Sequence, residues 1–359
     1  MSTTHSTSRA RILVALAATV GIVLSGCASS GAADTSADTS ASAGEELTLN
    51  VGQISNSVAF FPIFVAENEG FFTEEGLTLG EDRPRLGTGA KLAAALQSGS
   101  IDVGGGVMTD AFNLYKVNDE ARIIGSLVDS YYVDIIVGDE FDGADVDAPL
   151  AERIQSLKGK TIGMTGPGSG TEAFINYLLM QENIDPSTEV TLVNLGADSS
   201  AAIGALKTHK VDALSFFQPI GQEAETTDVG SIYISPTRGD VPTLDGAMHG
   251  IVFTTQSVID EKGPAVAAFL RGIARAEEVI QGDSADVAAL FELYQSGMEP
   301  ATVEALVPIL QSEMPGDPQP SEDGYQKSAD FHLQTGLVED PPTFAEIVPA
   351  DWIAEALAG

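Results

Sequence analysis

The sequence has a single cysteine, Cys27, and four widely separated histidines. One cysteine excludes an intramolecular disulfide framework and any CxxC metal or redox site. His5, His209, His249 and His332 show no metal-ligand spacing. They read as structural or solvent-facing, and neither metal nor other cofactor is expected. Cations are scarce: 17 Lys and Arg stand against 52 Asp and Glu, a formal net charge of −35. That excess argues against nucleic acid or an anionic membrane as a direct partner. It leaves the charge of a small ligand open, because surface charge is screened within about 8 Å at physiological salt. Beyond the N-terminus no apolar run approaches the length of about 20 residues that a membrane-spanning helix needs.

The N-terminus does hold a short apolar run. Arg9 and Arg11 precede it, it covers residues 12–26, and it ends in Leu24-Ser25-Gly26-Cys27. It is too short to span a bilayer stably and reads as a cleaved signal. Small residues before a lone cysteine are the layout of a bacterial lipoprotein signal, in which the cysteine is lipidated and becomes the new N-terminus. The alternative is an ordinary signal with Cys27 incidental. The lipid reading makes residues 1–26 a signal peptide and holds the rest outside the cytoplasm, at the outer face of the membrane. Residues 28–46 are small or acidic, without a large apolar side chain. Such a stretch cannot offset its ordering entropy by burial, so residues 27–46 read as a flexible tether.

From residue 47 the chain alternates β-like and helix-like runs. Strand candidates are 47–51, 101–103, 123–125, 161–164, 190–193, 213–216 and 251–254. Helix candidates are 61–72, 110–116, 171–182, 200–206, 265–281, 285–294 and 302–310. Alternation of this kind implies parallel strands with crossover helices, an α/β fold. An internal echo lies within it. Residues 95–103, which end Gly99-Ser100-Ile101-Asp102-Val103, match 205–213, which end His209-Lys210-Val211-Asp212-Ala213. Each reads as a helix end, a polar turn, and a β-branched residue with Asp entering a strand. The echo suggests two similar α/β lobes, with the single late strand completing the first sheet. Two crossings, near 137–138 and 235–236, would make a hinge around a ligand cleft. The expected division is 47–137 with 238–335 as lobe 1, 138–237 as lobe 2, and 336–359 as a tail packed on lobe 1.

The sharpest motif is Gly166-Pro167-Gly168-Ser169-Gly170-Thr171-Glu172, between a strand and a helix. Glycines permit a tight turn, and free N–H groups at a helix start bind anions. The stretch is either a cradle for a polar ligand end or a βα turn with a Ser or Thr cap. It is GxGxG rather than the dinucleotide fingerprint GxGxxG, and Ser169 is not in GxSxG. Three further strand-end loops carry Ser55 and Asn56, Gly87 and Thr88, and Met108 and Thr109. In an open α/β sheet such loops face one cleft. Phe60, Tyr131 of the pair Tyr131-Tyr132, and Phe216 of the pair Phe216-Phe217 are candidates to stack on a ligand. Arg238, at the second crossing, could grip a carboxylate, sulfonate or phosphate, or form a surface ion pair.

Residues 64–77, FVAENEGFFTEEGL, resemble a signature of solute-binding proteins for nitrate, sulfonate and taurine, shared with binders of thiamine-pyrimidine precursors. ALQSGSID at 95–102, LKGKTIG at 157–163 and GSGT at 168–171 are similar to further blocks of that family. The resemblance implies a periplasmic-binding-protein fold of type II that closes on a solute and delivers it to the permease and ATPase of an ABC importer. It carries the ligand loops onto Ser55, Asn56, Gly87, Thr88, Met108, Thr109, Gly168, Ser169 and Thr171, with Gly170 between them. A related branch that makes the pyrimidine needs a cysteine-rich motif, which the single Cys27 excludes. The expected protein is therefore a monomeric, non-enzymatic receptor attached to the membrane by lipid on Cys27. Its cargo would be a small organic solute such as a sulfonate, an aromatic carboxylate or a pyrimidine precursor. A lipid-tethered enzyme and a ligand-sensing subunit on the same fold are the alternatives.

Overall fold

A computed structural model describes residues 47–359. The signal, Cys27 and the tether lie outside the described residues. Among those described, no helix is long and apolar enough to cross a membrane.

In chain order the strands are β1 (Leu47–Leu49), β2 (Val51–Gln53), β3 (Leu77–Leu79), β4 (Val103–Val107), β5 (Ala121–Val128), β6 (Val133–Gly138), β7 (Thr161–Met164), β8 (Thr191–Asn194), β9 (Ala213–Phe217), β10 (Gly230–Ile234) and β11 (Gly250–Thr255). The helices are α1 (Phe61–Asn68), α2 (Phe71–Glu74), α3 (Gly89–Gln97), α4 (Met108–Tyr115), α5 (Leu150–Gln155), α6 (Gly170–Gln181), α7 (Ser199–Lys207), α8 (Ile220–Thr226), α9 (Gln256–Ile280), α10 (Ser284–Tyr294), α11 (Pro300–Glu313), α12 (Glu322–Thr335), α13 (Phe344–Ile347) and α14 (Ala350–Ala358).

Two sheets organise them. The first runs β2-β4-β11-β5 and the second β10-β6-β9-β7-β8, with β1 and β3 forming a separate pair. The sheets share one plan. β2 is parallel to β4 as β7 is to β9, and β4 is antiparallel to β11 as β9 is to β6. β5 and β10 close the matching edges in antiparallel pairing. The echo in the sequence has the same job in both lobes. Asp102 N donates to Asn50 O at 2.7 Å while Asn50 N donates to Asp102 Oδ2 at 2.8 Å. Asp212 N donates to Thr161 O at 2.8 Å while Thr161 N donates to Asp212 Oδ2 at 2.7 Å. Each Asp thus ties the start of its own strand to that of its parallel neighbour.

The first crossing differs from expectation. β6 pairs with β9 and β10, so it belongs to the second sheet. The chain therefore passes between sheets at Asp129–Tyr132, not at 137–138. The second passage runs through residues 235–249, after β10 and before β11. The late strand β11 lies between β4 and β5 in the first sheet. Strand β4, Val-Gly-Gly-Gly-Val, is buried throughout. Its glycines serve close packing: a Cβ on Gly106 would sit 2.7 Å from Phe253, and one on Gly105 would sit 2.9 Å from Phe60.

The C-terminal helices pack mainly on the first lobe. α9 begins nine residues before the expected 265, because it absorbs Pro264 through a non-helical residue at Lys262. α14 lies along α9, and Arg271 Nη1 donates to Ala356 O at 2.9 Å. α11 and α12 reach further, touching α8 and α6 of the second lobe.

Candidate ligand cleft

A cavity of about 350 Å³ lies where the two lobes meet. That volume is within the range of sites that enclose small organic ligands. Three helix starts line it: Gly89 and Ala90 of α3, Asp110 of α4, and Gly170 and Thr171 of α6, with Asn113 about a turn further along α4. On α4 the lining residues Asp110 and Asn113, with Val117 just beyond its end, follow helical spacing and share one face. Asn113 Nδ2 donates to Gly168 O at 3.2 Å and so links the two lobes beside the cavity.

Each helix start is capped from within. Thr88 Oγ1 accepts from Lys91 N at 3.3 Å, and Ser169 Oγ accepts from Glu172 N at 3.2 Å. Two carboxylates complete the caps. Asp110 Oδ2 accepts from Val107 N at 3.0 Å, and Glu172 Oε2 accepts from Gly168 N at 2.6 Å. The glycine loop is therefore a capped βα turn that also lines the cavity. Thr171 Oγ1 knits that turn, 2.8 Å from both Thr165 Oγ1 and Ser169 Oγ. Gly168, at φ +75, takes a left-handed conformation that the turn requires.

Seven of the expected residues line the cavity: Ser55, Gly87, Thr88, Gly168, Ser169, Gly170 and Thr171. The others do not. Asn56 Oδ1 accepts from Arg85 Nε at 3.1 Å on the exterior. Phe60 is fully buried in the core against β4. Met108 is fully buried, and its N–H donates to His249 O at 3.0 Å. Thr109 Oγ1 lies 2.7 Å from His332 Nε2, and His332 Nδ1 lies 2.7 Å from Ser328 O. The carbonyl can only accept, so Nδ1 carries the proton and Thr109 donates. Burial pulls the His332 pKa down to about 4.

In each aromatic pair it is the other ring that reaches the cavity. Tyr132 and Phe217 line it. Tyr131 OH donates to Gly170 O at 2.6 Å, and Phe216 is fully buried. Successive residues of a strand face opposite sides, so one of two adjacent rings in β9 must turn away. Arg238 is also elsewhere. Its Nη1 and Nη2 donate to the two carboxylate oxygens of Glu225 at 3.0 and 2.7 Å, in a half-exposed ion pair.

Among the lining residues that were not anticipated, two are titratable side chains, Asp110 and His249. Burial pushes the Asp110 carboxyl up to about 7, opposed by the Val107 hydrogen bond. Burial holds His249 well below its ordinary value and therefore neutral, with His332 adding to the effect. Its ring lies 3.9 Å from that of Tyr131 and 5.0 Å from that of Tyr132, centroid to centroid. No Lys or Arg lines the cavity among the described residues. The electrostatic consequence can be sized. A like charge held about 4 Å from an ionised carboxylate costs about 4 kcal/mol at an effective dielectric of about 20. One helix start returns about 0.3–1 kcal/mol. An anion meets that cost only while Asp110 is ionised, above about pH 7.

The sequence model of the NMT1-like family matches residues 42–294. The chain belongs to the NMT1-like family. The matched segment holds every strand of both sheets and every residue that lines the cavity. Helices α11 to α14 follow it. A Bacillus subtilis (strain 168) protein provisionally described as a binding protein, YtlA, is 22% identical over 77% of this chain and 79% of its own length. A structure from Bordetella bronchiseptica RB50 superposes with a TM-score of 0.72 at 23% identity, over 86% of this chain and 96% of that one. The alkanesulfonate-binding protein SsuA from Xanthomonas axonopodis pv. citri, bound to MOPS, gives 0.65 at 20% identity, over 88% and 99%. These likenesses establish the periplasmic-binding-protein fold for this member of the NMT1-like family.

Proposed function

We propose that the protein is the solute-binding component of an ABC importer, working outside the cytoplasm and held at the membrane by lipid on Cys27. It captures a small organic solute by closing two lobes and presents it to a permease driven by an ATPase. The carrying observation is the cavity itself, bounded by helix starts of both lobes and bridged by Asn113 and Gly168. Relatives with binding names support the same reading. Sulfonates, aromatic carboxylates and pyrimidine precursors are the solute classes that the family resemblance puts forward.

The way the cavity hydroxyls are used supports binding rather than turnover. Ser169 and Thr171 bond each other, and Ser55 Oγ accepts from Ser57 N at 3.3 Å. None of these hydroxyls is paired with His249, as an activated nucleophile would be.

A thermal-shift screen over these solute classes, with neutral and cationic ring compounds added, tests the reading. A solute at 100 times its dissociation constant stabilises the folded chain by about 2.7 kcal/mol. Stabilisation by at least one class, with the ligand recovered unchanged, is the expected result. No stabilisation by any class overturns the reading, and recovery of a product favours an enzyme. Metabolic labelling with a fatty acid, present in the wild type and lost in Cys27→Ser, tests the anchor.

A further inference from the structure

Building on that reading of the cleft, we propose that the cargo is a flat nitrogen compound, uncharged or cationic, that donates N–H hydrogen bonds to Asp110. An oxyanion does not suit the site while Asp110 is ionised. Asp110 is only 4% exposed and lines the cavity. Its Oδ2 accepts from Val107 N, while Oδ1 has no hydrogen-bond donor among the described residues. Oδ1 lies so close to Gly89 that a Cβ there would fall 1.7 Å from it. Position 89 therefore stays without a side chain, and Oδ1 keeps its place beside the start of α3. A carboxylate oxygen that opens onto the cavity without a protein donor is free to accept from a ligand.

The surroundings agree with a donor and disagree with an anion. No Lys or Arg lines the cavity among the described residues. His249, 1% exposed and with an unpartnered Nδ1, is held neutral by burial and supplies no positive charge. Two of the three helix starts have already given an N–H to a carboxylate, Val107 N to Asp110 and Gly168 N to Glu172. An incoming oxyanion would compete with both acids for those groups. Tyr132, Phe217 and His249 add flat faces that suit a planar ring.

Three probes of nearly equal shape and different charge test this: benzamidinium, benzamide and benzoate. They are titrated calorimetrically into the purified chain at pH 8, above the Asp110 value, so that the carboxylate is ionised. The expected order is benzamidinium, then benzamide, then benzoate, with about tenfold or more between first and last. Asp110→Asn keeps an acceptor for Val107 N and removes the charge. It should weaken benzamidinium by about tenfold and strengthen benzoate. Benzoate binding as tightly as benzamidinium to the wild type overturns the inference, whatever the variant does. So does an unchanged ratio in a folded Asp110→Asn protein. If no probe of any charge binds at millimolar concentration and no ring solute stabilises the chain in the screen above, the receptor reading itself fails. If the screen instead finds a tight oxyanion, the receptor reading stands and only this inference falls.

Discussion

The two lobes are built on one plan and furnished differently. Both sheets place two parallel strands beside antiparallel partners, and in both an Asp at the strand entrance ties it to its neighbour. Yet the helix that follows β4 carries Asp110 into the cavity, whereas the second lobe offers the Gly166–Thr171 turn and Phe217. The scaffold repeats because it solves a folding problem common to both halves. On the proposed reading, the lining diverges because the two halves would hold different sides of one solute. Charge is thus supplied by the first lobe, and backbone with a flat ring by the second.

The sharpest way to break this comparison is at β9. Phe216 is fully buried, so Phe216→Ala should cost about 3–5 kcal/mol of stability. Phe217→Ala should cost less stability and more affinity. Urea unfolding and probe titration separate the two. If Phe217→Ala binds normally, the second lobe's wall is misassigned. Next in size are the paired strand ties. Asp102→Ala leaves a part-buried N–H unpaired and should cost about 1–3 kcal/mol. Asp212 is exposed, so water can replace it, and Asp212→Ala should cost about 0.5–1.5 kcal/mol. Asp102 also accepts from Lys262 Nζ at 2.7 Å and is the more buried, so its loss should be the greater. A silent Asp212→Ala would mean that the echo is coincidence. The smallest effect is expected at Arg238. Its half-exposed pair with Glu225 is worth about 0–1 kcal/mol, and Arg238→Gln should leave probe affinity unchanged. A marked loss of affinity would return Arg238 to the site.

What could be read in advance followed local signals. Glycines and a hydroxyl cap mark the turn from β7 into α6, and that stretch does line the cavity. The echo of Asp102 and Asp212 marked the repeated strand entrance. What escaped depends on distant partners. β6 is an apolar run whose sheet is decided only by pairing with β9 and β10, far along the chain. β4 has three consecutive glycines, weak strand formers, and is a strand because Phe60, Leu92 and Phe253 need their space. The choice between Tyr131 and Tyr132, or Phe216 and Phe217, turns on which side of the backbone faces the cavity, and neighbours in sequence look alike. Asp110 was one acid among 52 Asp and Glu, with nothing in its spacing to single it out before α4 was placed against the cleft.

The contact between Asn113 and Gly168 bears on how faithfully such a receptor can report its state. It is one neutral hydrogen bond of 3.2 Å. A bond of that kind contributes about 0.5–1.5 kcal/mol, which biases an open–closed balance by about tenfold at most. A decisive shift between two shapes takes about 5.5 kcal/mol. On the proposed reading, this bond alone would not hold the lobes closed, and the cargo would add to it. By the same reading, a contact this weak would by itself give a transporter that senses closure little cause to spend ATP on an empty receptor.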